Sequence, residues 1–366
     1  MSAIPKSNLL AILTRPMLNH CFVPVLACGV LVASVPGCGT SAIKTGPATT
    51  VAVHYATSRA YTETANKDQS FGNDPAAFQV ITYGNALVEI PAKHASGSSE
   101  GTRIASYDPV PKKDGMPIKA FFNQLAADTR KSNAPLLLYV HGYNNSFADA
   151  AHRAAHFSED LHLPSKPVPA VFSWPSRHNL FGYWKDEDSV LLNARNLRRF
   201  LSNLHTRCPG QTVLVGHSMG CRELTFALAE YAQTDAREGR FHIRRDFSEM
   251  ILIEPDIDLE LLKQNISDLR GVCGRITIYT SRHDIPLAAS AFVHQDNSAG
   301  KTDDPIGTRV DVIDASALRK DFLGHSYDGE ALFDDMAQVV RGTPITDSSK
   351  RSRLVADGNI HRFKSQ

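Results

Sequence analysis

The chain lacks an excess of charge of either sign. Its 39 lysines and arginines stand against 38 aspartates and glutamates, a formal net charge of +1. A surface without a basic field has little to draw a phosphate backbone, which argues against nucleic-acid binding. The chain also has little cysteine. Cys21, Cys28 and Cys38 fall near the amino terminus, and Cys208, Cys221 and Cys273 remain for the body. Three cysteines at these spacings match no metal motif and allow at most one disulfide, so the fold does not depend on one. There is no HExxH or comparable histidine-carboxylate spacing, so no metal and no cofactor is expected. Internal repeats, low-complexity blocks and a long lid-like insertion are missing too. With 42% hydrophobic and 21% charged residues, the composition supports a large folded core rather than disorder.

No apolar run is long enough to cross a bilayer comfortably. The longest, CFVPVLACGVLVASV over residues 21–35, is short and broken by proline and glycine, and it follows Lys6 and Arg15. That pattern reads as an export signal. It ends in Val35-Pro36-Gly37-Cys38, which resembles the bacterial lipobox, so residues 1–38 are expected to be a signal peptide with Cys38 as the acylated residue. Gly39 after Cys38 resembles the pattern of outer-membrane lipoproteins. Residues 39–50, rich in glycine, serine and threonine, read as a tether. The expected location is the outer membrane or periplasm, with the membrane as partner through a lipid anchor.

The body alternates between strand and helix patterns. Extended stretches are expected at 50–55 and 83–90, forming an antiparallel edge or hairpin. Continuously apolar strands follow at 135–140, 168–173, 212–215, 250–253 and 275–280, with helical spacing at 118–129, 147–161, 189–204, 221–232, 259–264 and 329–341. The implied architecture is α/β, a mostly parallel central sheet with helices on both faces. Residues 342–366 are polar and unpatterned and read as a flexible tail.

Gly216-His217-Ser218-Met219-Gly220 lies between the apolar strand QTVLV and a helical segment. A serine at such a strand-to-helix bend is expected to be a nucleophile, its hydroxyl exposed where helix-end dipoles favour a developing anion. In sheets of this kind the acid and base follow the serine in that order. Asp284, in the loop after strand 275–280, is the preferred acid, with Asp256 after the preceding strand as the competitor. His325, in Leu323-Gly324-His325-Ser326-Tyr327 before the final helix, is the preferred base, with His283 as the rival. The oxyanion donors are expected to be the backbone N–H groups of Met219 and Tyr143. His141 and Gly142 share the Tyr143 loop and are expected beside the substrate, His141 and His217 serving as scaffolding. Both tryptophans, Trp174 and Trp184, fall in WPSRHNLFGYWKDED, a candidate acyl or alcohol pocket wall. Cys221 reads as a buried small residue rather than a second nucleophile.

HGYNNSF, FSWPSR, GHSMG with Arg222 just after it, EPDID, YTSRHD and FLGHSY occur in that order, preceded by ATSRA and YGNALVEIP. Together they resemble a bacterial α/β-hydrolase family of esterase/lipase superfamily enzymes of unknown function, over residues 51–341. The resemblance implies an α/β-hydrolase fold and the roles given above to Ser218, Asp284 and His325. The expected activity is hydrolysis of small carboxylic esters with short to medium acyl chains, through an acyl-enzyme. A binding or scaffold lipoprotein on the same fold, and a peptidase or acyltransferase using the same triad, are the alternatives.

Overall fold

Every side chain of Leu136–Val140 is buried, as a strand flanked on both sides and covered on both faces requires. Alternation sorts these residues into two layers. Leu136, Leu138 and Val140 join one apolar cluster, while Leu137 and Tyr139 join the other. The computed structural model describes residues 47–76, 80–108, 116–177, 183–208, 212–237, 245–281, 299, 306–307, 309–318 and 329–364. Expectations placed on Cys38, His283, Asp284 and His325 lie outside the described residues.

In chain order the strands are β1 (Thr49–Thr57), β2 (Arg59–Tyr61), β3 (Phe71–Pro75), β4 (Thr82–Ile90), β5 (Arg103–Asp108), β6 (Leu136–Val140), β7 (Val168–Ser173), β8 (Thr212–His217), β9 (Phe247–Ile253), β10 (Cys273–Thr280), β11 (Val310–Asp314), β12 (Leu354–Asp357) and β13 (Ile360–Phe363). The helices are α1 (Ile118–Ser132), α2 (Phe147–Asp160), α3 (Tyr183–Arg207), α4 (Met219–Arg237), α5 (Leu259–Val272) and α6 (Gly329–Val340). Among the described residues, eleven strands form one sheet in the order β12-β13-β11-β10-β9-β8-β6-β7-β1-β4-β5. From β13 to β1 the neighbours run parallel, and the outer pairs β12/β13, β1/β4 and β4/β5 run antiparallel. The α/β architecture read from the sequence is therefore the one the chain adopts.

Helices α1, α3, α4 and α5 pack their apolar residues into one layer, and α2 and α6 into the other. Local sequence sets the ends that matter for the site. Ser146 caps α2 by accepting from Asp149 N at 3.1 Å while the Asp149 carboxylate accepts from Ser146 N at 2.8 Å, a reciprocal capping box. Asp258 caps α5 by accepting from Leu261 N at 3.0 Å. From β6 the chain crosses to β7 on one side, and β8 then returns to pair with β6 on the other. Such a reversal opens a crevice at the carboxyl ends of the two strands, where ligands bind in open α/β sheets.

Two expectations are corrected. Strands β1 and β4 do pair antiparallel over their whole length, but they form neither a hairpin nor the edge. The β2/β3 ribbon intervenes in sequence, β1 pairs with β7 inside the sheet, and β5 forms the rim. The carboxyl-terminal segment is not a frayed tail. It folds as β12 and β13 and completes the opposite rim, with Leu354 and Phe363 in the core. Arg351, 2% exposed, forms a two-point pair with Asp335 of α6 at 2.9 and 2.6 Å, and Tyr279 donates to the same carboxylate at 2.7 Å.

Removing one member of a buried ion pair strands the other charge in a medium that cannot solvate it. Arg351→Ala is expected to cost about 3–5 kcal/mol in urea-induced unfolding. A flexible tail would leave the unfolding midpoint unchanged.

Candidate active site

Ser218 has φ of +50°, the left-handed region that non-glycine residues seldom adopt and that costs on the order of 1–3 kcal/mol. The bend is held by its own backbone. Ser218 N donates to Ile253 O at 2.9 Å, and Ser218 O accepts from Cys221 N at 2.9 Å and Asp256 N at 3.2 Å. Two glycines bring β6 against this bend. Gly220 lies directly on the carbonyls of Val140 and His141, where any β-carbon would collide with backbone. A β-carbon on Gly142 would come within 2.9 Å of Ser218 Cβ and of His217 O. The loop after β6 is thereby pressed onto the serine. The serine is partly exposed, and Met219, fully buried, opens α4. The first N–H groups of a helix have no acceptor within the helix; Cys221 N is taken by Ser218 O, and the N–H groups of Met219 and Gly220 open α4, where an anion is favoured.

The loop after β6 is fixed from below by Arg59, a residue given no role in the sequence reading. Its guanidinium is fully buried and donates to Asn145 O at 2.7 Å, Ser173 Oγ at 2.9 Å and Gly72 O at 3.1 Å, with His141 Nε2 3.4 Å away. Burial pushes this guanidinium down to about 9, against the pull of Asp186 and Asp149. Only ATSRA, quoted above for its resemblance to a family, hints at it in the sequence. Within the loop, Asn144 takes φ of +58° and the Asn145 amide donates to Tyr143 O at 2.8 Å.

His141 is wholly buried, stacked on Trp174 with ring centroids 4.9 Å apart. Its Nε2 lies 3.1 Å from both Ser173 Oγ and Trp174 O, and Trp174 Nε1 donates to His141 O at 2.9 Å. Both residues are scaffolding. Trp174 has no exposed surface, so its expected place on a pocket wall is corrected: its indole supports the loop from inside the core. Trp184 is 61% exposed at the start of α3. Tyr143 packs edge-on against Tyr183, centroids 5.6 Å apart.

Asp256 is buried and occupied. Tyr183 Oη donates to its Oδ2 at 2.8 Å, Arg222 Nη2 lies 3.4 Å from its Oδ1, and Arg222 Nε donates to its backbone carbonyl at 2.9 Å. Arg222 also pairs with Glu187. The carboxylate thus links α3, α4 and the turn after β9. Cys221 is fully buried, and burial raises its thiol well above the ordinary range, which leaves it protonated and unreactive. Cys208 and Cys273 are likewise buried and free.

His217, partly exposed beside Ser218, borders a cavity of about 670 Å³. Asn145, Tyr139 and Ile253 line it on the sheet side, Arg153 and Phe157 come from α2, and Gly329 and Phe333 from α6. The cavity therefore joins the serine bend to the first turn of α6, a connection no spacing in the sequence reveals.

Burial, and next the positive charge of Arg59, drive the His141 imidazole down to about 3 from an ordinary 6.5. Between these values the unfolded chain binds a proton that the folded protein excludes, so stability from this group is complete above pH 6.5 and falls as pH drops towards 3. The expected slope is about 1.4 kcal/mol per pH unit in that window. Urea unfolding at pH 7 and pH 4.5 should give a smaller pH-dependent loss in His141→Gln than in the parent protein. Equal losses would remove His141 from the acid response.

Residues 119–327, more than half of the chain, match the model of the family described as "Alpha/beta hydrolase of unknown function (DUF900)". Comparison with curated proteins returned no match. Among solved structures, a Trichoderma reesei cutinase in complex with a phosphonate inhibitor is 19% identical, with 38% of this chain and 68% of that chain covered and a TM-score of 0.24. A bacterial heroin esterase is 12% identical, with 80% and 84% covered and a TM-score of 0.33. A fungal esterase from Rhizomucor miehei is 11% identical, with 74% and 80% covered and a TM-score of 0.31. On the match that spans most of its sheet and its serine bend, this chain belongs to that α/β-hydrolase family.

Proposed function

We propose that the protein is a serine hydrolase that cleaves carboxylic esters through Ser218, His325 and Asp284. The observation that carries this reading is the left-handed backbone of Ser218 at a bend against which Gly142 is packed. Such strain persists only where the surrounding structure enforces it, and it clusters at functional sites. His325 takes the Ser218 proton as Oγ attacks the ester carbon, and Asp284 holds the imidazole and stabilises its charged form. The N–H groups of Met219 and Tyr143 stabilise the oxyanion. The alcohol leaves with the proton from His325, and water, activated by the same imidazole, clears the acyl group.

Topology supports these assignments. Strand β10 is two positions from β8 in the sheet, and Asp284 lies three residues beyond Ser281 at its carboxyl end. His325 precedes Gly329 by four residues, a span of at most about 14 Å, and Gly329 borders the cavity that His217 also borders. The prior engagement of Asp256 by Arg222 and Tyr183 favours Asp284 as the acid. A cavity of about 670 Å³ suits short to medium acyl chains, since ligand pockets run to roughly 300–1,000 Å³.

The parent protein is expected to react with a fluorophosphonate probe and to hydrolyse p-nitrophenyl butyrate. Ser218→Ala should lose the label and at least about 10³-fold in rate. Asp284→Asn should fall by about 10⁴-fold, while Asp256→Asn retains the label. A folded parent protein that takes no label refutes the enzyme reading. Labelling with turnover of amides, or with acyl transfer to alcohols, and not of esters would move the substrate class.

The reading extends to location: the chain is exported and held to a membrane through acylated Cys38. Cells expressing it should incorporate labelled palmitate into the protein, and Cys38→Ala should abolish incorporation. Equal incorporation in both would remove the anchor.

A further inference from the structure

Away from the serine bend, the segment between β4 and β5 meets the last turn of α2 in a cluster of two imidazoles and one carboxylate. His94 Nε2 lies 2.9 Å from Asp160 Oδ1, and His156 Nδ1 lies 3.0 Å from Asp160 Oδ2. These three donors all fall within 4.8 Å of one another. His156 and Asp160 are buried, one helical turn apart on the same face of α2, and the His94 side chain is 19% exposed.

The outer side of the cluster is as ordered as the inner side. His94 Nδ1 lies 2.8 Å from Pro91 O, an atom that can only accept, so Nδ1 carries a proton; without an ion Nε2 donates to Asp160 Oδ1, and giving up that one proton leaves Nε2 free to ligate. His156 Nε2 lies 3.0 Å from Thr102 Oγ1, whose hydroxyl can accept from Nε2 once Nδ1 gives up the proton it shares with Asp160 Oδ2. Gly97 N donates to Asp160 Oδ2 at 2.6 Å, and the Arg153 guanidinium holds the same loop through Gly97 O at 2.6 Å. A hydrogen bond from the remote nitrogen of each imidazole, to a carbonyl or hydroxyl, is the arrangement that orients metal-ligating histidines.

We infer that His94 Nε2, His156 Nδ1 and the Asp160 carboxylate form a binding site for a divalent transition-metal ion of the zinc type. Zinc bonds of about 2.0–2.2 Å in a tetrahedral site put neighbouring donor atoms about 3.3 Å apart, so the two nitrogen–oxygen contacts would open by a few tenths of an ångström and the two imidazole nitrogens, within 4.8 Å of each other, would settle to that spacing. Binding replaces the protons shared between the imidazoles and the carboxylate, which are released. The set suits zinc, iron, nickel or copper better than magnesium or calcium, which prefer oxygen donors. His94 and Gly97 also border the cavity that reaches His217, so the ion would tie one wall of that cavity to α2. The motif escaped sequence reading because one histidine lies 66 residues from the carboxylate and the other two donors follow an H-x-x-x-D spacing rather than HExxH.

The test uses the full chain, freed of any affinity tag and stripped with a chelator, with Zn²⁺ alone in calorimetric titration and Co²⁺ alone as a visible-absorption probe. One equivalent of Zn²⁺ should bind at micromolar concentration or tighter, raise the unfolding temperature and displace the Co²⁺ absorption. Thr102→Val should weaken binding about 10- to 100-fold by freeing the His156 ring. His94→Ala, at a partly exposed position, should keep the fold by circular dichroism and lose the Co²⁺ band. Absence of saturable binding in the parent protein overturns the site, as does unchanged binding in His94→Ala. The readout is metal occupancy, so Ser218→Ala should bind normally, and the outcome is independent of the ester-hydrolase reading.

Discussion

The contact between the end of β6 and the bend after β8 is the constraint on which the rest of the site depends. Strand pairing places Val140 beside Gly216, and the chain must then turn sharply into α4 without lifting off its neighbour. Gly220 allows the first turn of α4 to rest on the carbonyls of Val140 and His141, and Gly142 allows the β6 loop to meet Ser218. With a side chain at either position the two strand ends would separate, and the left-handed serine would lose the packing that holds it. The strain at Ser218 is offset by this contact and by its bonds to Ile253, Cys221 and Asp256, so the serine conformation is a property of three adjacent strand ends rather than of one residue.

Charge buried around the contact has a matching logic. Among the described residues Arg59 has no carboxylate within its hydrogen bonds, which go to the carbonyls of Gly72, Ser176 and Asn145 and to the hydroxyl of Ser173. Burying a cation is costly and is tolerated only when its donors are well used. Here they reach the β2/β3 ribbon, the end of β7 and the loop after β6, fixing three segments that no apolar residue of similar size could tie together by direction. The resulting positive charge also disfavours a second cation nearby, which is one reason His141 stays neutral. Arg222 does the comparable work on the other side, where Asp256 and Glu187 balance it.

How much of this is legible in the sequence depends on length and period. The bend at Ser218 is legible because GHSMG follows a fully apolar strand, and the central strands are legible because burial on both faces makes them continuous. Residues 342–366 are less so: β12 and β13 are four residues each, too short for alternation to stand out, and their polar faces dominate the composition. The signal that remains is Gly358-Asn359, the two residues between the paired Asp357 and Ile360, with the glycine at φ of +60°, a turn pair that hairpins use. Strand β5 is hidden differently. Its pairing with β4 slips between Leu87 and Val88, and a bulge breaks the alternation of two that marks a strand. Trp174 misleads for a third reason: an aromatic cluster in sequence looks like a pocket wall, yet burial is decided by the sheet, which turns this indole inward.

The same distinction separates the two proposed sites. Ser218 gains its character locally, from backbone torsion and immediate neighbours, so a five-residue motif can announce it. The histidine-carboxylate cluster gains its character from tertiary closure, since His94 arrives on the segment between β4 and β5 and His156 and Asp160 on α2, far away in sequence. Asp160 then carries two imidazoles and one backbone N–H on a single carboxylate, and such convergence is worth its desolvation only if the negative charge is used. A proton on His94 uses it in part. A divalent cation uses it fully, and it would bind the folded chain in preference to the unfolded one, because the three donors converge only after the β4–β5 segment has closed on α2.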